Sequence, residues 1–246
     1  LIQADYVQAE AVVVAYLIGD NRLKQMFQKS YGLIGKDRDP YDIHKITASE
    51  MFGIPFESID SHKRSIGKTI RHSSNYAAGP GVLATRLGIK MSEAKKLMEL
   101  YHRANPLLRV WYQRIQAELR ENRMLTNLLG RKHRFLDRWG DSLFRSAYSF
   151  KPQSTVGDLL NKAMLNFYTR YGSVYRIILQ LHDAMYVACK KGSEEECSQK
   201  MFDCMRIPLT VNDETFYIDV DFKIGDSWGD MKDFVPEWRK TNDRRD

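Results

Sequence analysis

Cysteine is scarce: Cys189, Cys197 and Cys204 are the whole set, and their spacing fits no zinc site. An odd number also argues against a closed disulfide framework, so a reducing intracellular setting is expected. Apolar runs approaching the roughly 20 residues that span a bilayer are missing, and so is a secretory leader, which reads as a soluble cytoplasmic protein with no membrane partner. Internal repeats and low-complexity linkers are absent too. The chain opens at Leu1 without an initiator methionine, and this end is read as a cut or processed boundary.

Within these exclusions there is enough apolar material for a real core. The chain has 246 residues, 43% of them hydrophobic, sufficient for one large or two modest domains. Lysine and arginine number 38 against 31 acidic residues, a formal charge of +7, which favours a polyanionic partner.

The segment around which the rest is organised is Lys63 to Gly81, KRSIGKTIRHSSNYAAGPG. At helical period Ile66, Ile70, Ser73 and Ala77 form one face, while Arg64, Lys68, Arg71, His72, Asn75 and Tyr76 share the other. A packing face thus backs a row of cations that ends in an aromatic ring. The helix is expected to stop at Ala78-Gly79-Pro80-Gly81. A solvated basic helix would show the same pattern.

Around it the chain reads as alternating α and β pieces. LIQADY opens as a strand and leads into an apolar helix to Ile18; Asp5 is either a functional carboxylate at a strand-to-helix junction or a helix cap. Residues 21–59 read as short helices, Ser92–Arg103 and Asn105–Arg123 as longer ones. A glycine turn in Leu125–Arg138 carries Arg131, Lys132, His133 and Arg134, a candidate phosphate contact. Ser142–Tyr171 is a long helix with a polar or small line Arg145, Ser149, Gln153, Gly157, and Pro152 is expected to kink it. Two apolar runs in Arg176–Ala188 flank Leu181-His182-Asp183-Ala184 as a hairpin. Burying Asp183 there would require a cation or hydrogen-bond donors. Cys197, Met201, Cys204 and Met205 form one apolar helix face. Thr215–Ile224 alternates as a half-buried strand with Asp219 and Asp221 on the solvated face, although both are also near enough in kind to serve a metal.

Three of these stretches, in order, resemble the sequence motifs of family A DNA polymerases. DYVQAE at Asp5–Glu10 is similar to the first motif, Arg64, Lys68, His72 and Tyr76 to the second, and QLHDAM at Gln180–Met185 to the third. DIHKITASEMFG and IGDSWGDMKDF also look like family segments, particularly of phage-type members. The resemblance covers nearly the whole chain. It implies an α+β fold, a small antiparallel palm sheet flanked by helices with an inserted all-helical fingers domain. The palm would take residues 1–20 and 145–246, and the fingers 21–144.

What the resemblance implies for chemistry is template-directed nucleotidyl transfer to a primer 3′-hydroxyl, with two Mg2+ ions, or Mn2+ in their place, as cofactors. Asp5 and Asp183 would be the catalytic carboxylates, with the Tyr6 carbonyl a further metal ligand. Gln8, Glu10, His44, Arg64, Lys68, His72 and Tyr76 would line the nucleotide site. Arg64 and Lys68 would meet the triphosphate, Glu10 would crowd the sugar 2′ position, and the helix would rotate to close over a matched pair. Arg145, Ser149, Gln153, Gln180 and His182 would contact DNA. The implied partners are primer-template DNA, deoxynucleoside triphosphates and the thumb and first palm segment, covalent or separate. The host would be a bacterium or a phage-infected cell.

The sequence departs from the family pattern at several positions. His72 replaces an aromatic hydrocarbon or phenol ring, Val12 an arginine, Ala184 a glutamate and Ser149 an asparagine. Two other readings are open: a single-subunit RNA polymerase, against which Glu10 argues, and a non-catalytic nucleic-acid-binding remnant.

Overall fold

The computed structural model describes residues 1–241. Strand β1 (Ile2–Tyr6) buries Ile2, Ala4 and Tyr6 and turns Gln3 and Asp5 to the other face, the period-two pattern of a strand with one packed side. It is the middle of a five-stranded sheet. On one side lie β5 (Ala184–Ala188) and the edge strand β4 (Arg176–Leu181); on the other lie β8 (Val220–Ile224) and β9 (Lys232–Phe234), with all neighbours antiparallel.

Helices cover the packed face. Helix α1 (Ala9–Ile18) is apolar and mostly buried, and Gly19 ends it in the left-handed region that glycine enters without steric cost. It lies against α8 (Asp141–Tyr171), which also packs on α9 (Glu194–Met205). The α9 face expected from the sequence is the buried one: Cys197, Met201, Cys204 and Met205 are all fully enclosed. The three cysteines are free thiols. Burial, with Cys189 beside it, pushes the Cys197 thiol up to about 12, so it packs as an apolar group. Helix α8 is continuous through Pro152, and the Ser154 hydroxyl donates to the Phe150 carbonyl at 2.6 Å in the same turn.

Between α1 and α8 the chain forms α2 (Asn21–Ser30), a 3₁₀ segment Gly35–Tyr41, α3 (Ile43–Phe52), α4 (Ser61–Asn75), α5 (Pro80–Leu87), α6 (Met91–Ala104) and α7 (Pro106–Asn122). The insertion is not all-helical. Strands β2 (Met124–Thr126) and β3 (Lys132–Arg134) pair as a hairpin, because the Asn127 side chain accepts from the backbone of Leu129 and Arg131 and holds the turn. Arg131 there is paired with Asp158 at 2.5 Å, while Lys132, His133 and Arg134 remain exposed.

Three sequence expectations are corrected. The Gly79-Pro80 pair starts a helix instead of only ending one: Gly79 caps α5 and Pro80 is its first residue, where a missing N–H costs nothing. Residues 215–224 do not form one strand. β7 (Glu214–Phe216) pairs with β6 (Leu209–Val211) around Asn212 and Asp213, both at positive φ, and only β8 joins the main sheet. On α4, Arg71 and Asn75 belong to the packed side: both are buried, with Arg71 Nε donating to Thr47 Oγ1 at 2.7 Å and Asn75 accepting from Tyr101 at 2.7 Å. A polar side chain that bonds to buried partners is invisible to an apolar periodicity.

Helices α3 and α4 meet at closest approach through Gly67. A Cβ built there would overlap the His44 carbonyl oxygen and touch Ala48. Gly67→Ala is therefore expected to lower unfolding free energy by about 1–3 kcal/mol, the overpacking range, despite alanine's better helix propensity. Denaturant unfolding checks this; a stabilised variant would show that the helices separate freely.

Candidate active site

Strand pairing brings the two candidate carboxylates together. Register Leu181↔Ala184 leaves His182 and Asp183 as a two-residue tip between β4 and β5, with His182 at φ 55 in the left-handed region. The Tyr6 N–H donates to the Asp183 carbonyl at 3.2 Å, so the tip is fastened beside the end of β1. Asp5 is not a helix cap, since α1 starts behind Gln8. Burial, and then the adjoining Asp183 carboxylate, push the Asp5 carboxyl up to about 7 from 3.8. Its Oδ1 is buried without a hydrogen-bond partner.

Two adjoining carboxylates with an unpartnered buried oxygen repel each other, and the nearby Lys223 offsets this too little to bring the Asp5 carboxyl down to its ordinary value. That is the observation a divalent cation would satisfy. Among the described residues no cluster of three or more His, Cys, Asp or Glu is grouped for a metal, so any such ion would rest on two carboxylates with backbone or water oxygens, as magnesium tolerates. In the folded protein without metal, a raised Asp5 favours the protonated form. Stability from this group is therefore present below pH 3.8 and lost as pH rises through about 7. Asp5→Asn is expected to flatten that part of the stability profile, measured by denaturant titrations from pH 4 to 8.

Asp5, though not Asp183, lines a cleft of about 410 Å³ together with Gln8, Arg38, Asp42, Arg64 and Arg239 among others. Gln8 is held at φ 51, and its Oε1 is buried without a partner. Arg64 Nε donates to Asp42 at 2.6 Å, and the other Asp42 oxygen caps α3 through the His44 and Lys45 N–H groups. His44 is partly buried, which with the nearby Arg64, Arg71 and Lys68 charges lowers its pKa to about 4 against the pull of Asp42. It is thus a neutral ring at neutral pH. Lys68 is exposed one turn beyond Arg64.

The far end of α4 meets the first motif and α8. The Tyr76 hydroxyl donates to the Glu10 carboxylate; burial and that carboxylate both raise the tyrosine pKa. His72 is exposed and lies edge-on to Tyr76 at 5.7 Å. His72, Tyr76, Arg86, Arg145, Ser149 and Gln153 line a second cleft, so three members of the polar line along α8, without Gly157, face this end of α4. Gln180 and His182 are exposed on the edge strand and its tip, apart from that cleft.

Of the two aspartates expected on a solvated face, Asp221 keeps a side chain 47% exposed, whereas Asp219 does not. Asp219 is buried, accepting from the Gly32 N–H at 3.0 Å, from Arg38 at 3.1 Å and from Arg239. Asp221 stands opposite Asp5 in the β1–β8 register and binds Arg38 at 2.9 Å. Strand alternation foretold their direction but not the arginines, which come from a 3₁₀ segment and a terminal helix α10 (Glu237–Thr241) without periodic signal.

Solved structures share this architecture. The POL domain of Pol1 from M. smegmatis, in complex with DNA primer-template and dNTP, superposes with a TM-score of 0.74 over 90% of this chain and 39% of that one, at 24% identity. The fold is that of a polymerase palm with its fingers. The family-wide profile of DNA polymerase family A matches residues 1–230, and the chain belongs to that family. Thermostable DNA polymerase I of Thermus aquaticus is 29% identical over 95% of this chain and 27% of its own length; DNA polymerase I of Pseudomonas aeruginosa is 25% identical over 93% and 24%. The chain thus spans about a quarter of the length of these relatives. No helix among the described residues is long and apolar enough to cross a membrane.

Proposed function

We propose that this chain is the palm and fingers of a template-directed DNA polymerase, palm at 1–20 and 145–246 and fingers at 21–144, adding deoxynucleotides to a primer 3′-hydroxyl. The observation that carries this reading is the Asp5–Asp183 pair, joined across β1 and the β4–β5 tip beside a cleft that holds Arg64. Asp5, Asp183 and the Tyr6 carbonyl would hold two Mg2+ ions, with Mn2+ as a substitute. Bound there, such ions supply Lewis acidity toward the attacking hydroxyl and charge neutralisation for the phosphates.

The chain's own residues bind and orient. Arg64 and Lys68 take the triphosphate oxygens, with His44 as a neutral donor. Gln8 faces the same cleft. Glu10, fixed by Tyr76, fills the space a ribose 2′-hydroxyl would need. His72 and Tyr76 border the base, and Arg145, Ser149, Gln153, Gln180 and His182 follow the primer-template. The thumb and first palm segment would come from polypeptide outside residues 1–246, attached or separate.

Primer extension with deoxy- and ribonucleotides by the protein that carries this chain tests the reading. Deoxynucleotides are expected to be preferred, and Glu10→Ala to admit ribonucleotides at least about tenfold better. Equal use of both by the wild type would refute it.

A further inference from the structure

The Asp42 carboxylate stands at the mouth of the cleft with three donors on it: the His44 N–H at 2.9 Å, the Lys45 N–H at 3.1 Å and Arg64 Nε at 2.6 Å. Two backbone donors of a helix start plus a guanidinium are the set that a phosphate oxygen would use. Here an internal carboxylate uses them. Asp42 and Arg64 both line the cleft that Asp5 and Gln8 line, so this occupancy lies inside the proposed nucleotide site.

The ion pair is not needed to hold the helices. α3 and α4 already touch through Gly67, where no side chain fits between them, and Arg64 is 40% exposed, which leaves a pair of this kind little to add to stability. Its consequence is electrostatic. While Arg64 points at Asp42, half of the Arg64–Lys68 cation pair is neutralised and a fixed negative charge faces any incoming anion.

We propose that Asp42 is a resident stand-in for phosphate, which an incoming triphosphate must displace from Arg64. Asp42 is thereby a positioning residue that sets a threshold of ligand charge. A triphosphate competes for Arg64 effectively, whereas a monophosphate does not. The inference rests on the nucleotide reading of this cleft and adds to it the residue that opposes binding.

The Asp42→Asn variant separates charge from structure, because asparagine caps a helix as well as aspartate does. Titrations with dGTP, dGMP and inorganic tripolyphosphate, on the protein that carries this chain and with primer-template present, provide the measurement. In Asp42→Asn, dGTP and tripolyphosphate are expected to bind at least about fivefold tighter. The gap between dGTP and dGMP should narrow, KM should fall with kcat unchanged, and the unfolding midpoint should stay at the wild-type value. Equal or weaker binding at an unchanged unfolding midpoint overturns the proposal. If Asp42→Asn does not fold, Asp42→Ser, which also caps without charge, is read by the same criteria. Arg64→Ala distinguishes the two levels. Loss of dGTP binding there with no tightening in Asp42→Asn sinks only the Asp42 inference; wild-type binding by Arg64→Ala sinks the nucleotide reading of the cleft, and this inference with it.

Discussion

Asp183→Asn is expected to lower nucleotide incorporation by about 10³-fold or more while leaving DNA binding within about threefold. The substitution keeps the size of the side chain and removes its charge, so the β4–β5 tip and its backbone tie to Tyr6 persist. A thousandfold loss corresponds to about 4 kcal/mol of transition-state stabilisation, a size within reach of a charge that meets the reacting phosphate through a cation. Binding of primer-template would instead depend on cations spread over a large surface, and one carboxylate would change it little. Single-turnover extension and a DNA titration on the same preparation separate the two effects. Equal activity in Asp183→Asn would mean that the Asp5–Asp183 pair is not the centre of catalysis. Undetectable activity already in the wild type, with DNA binding intact, would favour the non-catalytic reading.

The second large effect concerns stability. Asp219→Asn should cost about 3–5 kcal/mol, the range for removing one member of a buried ion network. Asp219 and Arg239 side chains are each only 7% exposed, so losing the carboxylate charge leaves the Arg239 guanidinium away from water with Asp221 at 3.8 Å as its nearest remaining carboxylate, while Arg38 keeps its bond to Asp221. At about 2–4 °C per kcal/mol for a chain of this size, the melting temperature falls by roughly 10 °C. Pairing the substitution with Arg239→Met is expected to recover part of the loss, since an apolar replacement removes the buried charge left without its partner. A drop below about 1 kcal/mol would show that solvent reaches the cluster and screens it.

Much of the architecture was legible because it rests on periodicity. The two-residue alternation of Ile2, Ala4 and Tyr6, the apolar run from Ala9 to Ile18 and the α9 face of Cys197, Met201, Cys204 and Met205 each announce the side they bury. Asp5 and Asp183 became catalytic candidates through the motif resemblance, to which the apolar runs flanking Asp183 added only that its charge would need a partner. Contacts between distant residues were not legible. Arg38 and Asp219 are 181 positions apart, and no local pattern marks either as the other's partner. Arg71 and Asn75 misled because polar residues that pack on Thr47 and Tyr101 look, in a helical projection, like members of the cationic face. The split of 215–224 escaped for a related reason: both halves keep the same alternation while belonging to different sheets.

Helix α4 is anchored at its middle and at its C-terminal end. Near its middle Gly67 sits flush on the α3 backbone; at its end the Tyr101 hydroxyl holds Asn75 and the Tyr112 hydroxyl holds the Ser74 carbonyl. Such a helix has no private axis about which to swivel. Any swing that brings Arg64 and Lys68 toward the carboxylates must carry α3, α6 and the start of α7 as a single block, with its fulcrum in the connecting segments. Motion of that kind belongs to the microsecond-to-millisecond range of domain displacement, slower than the reorientation of side chains.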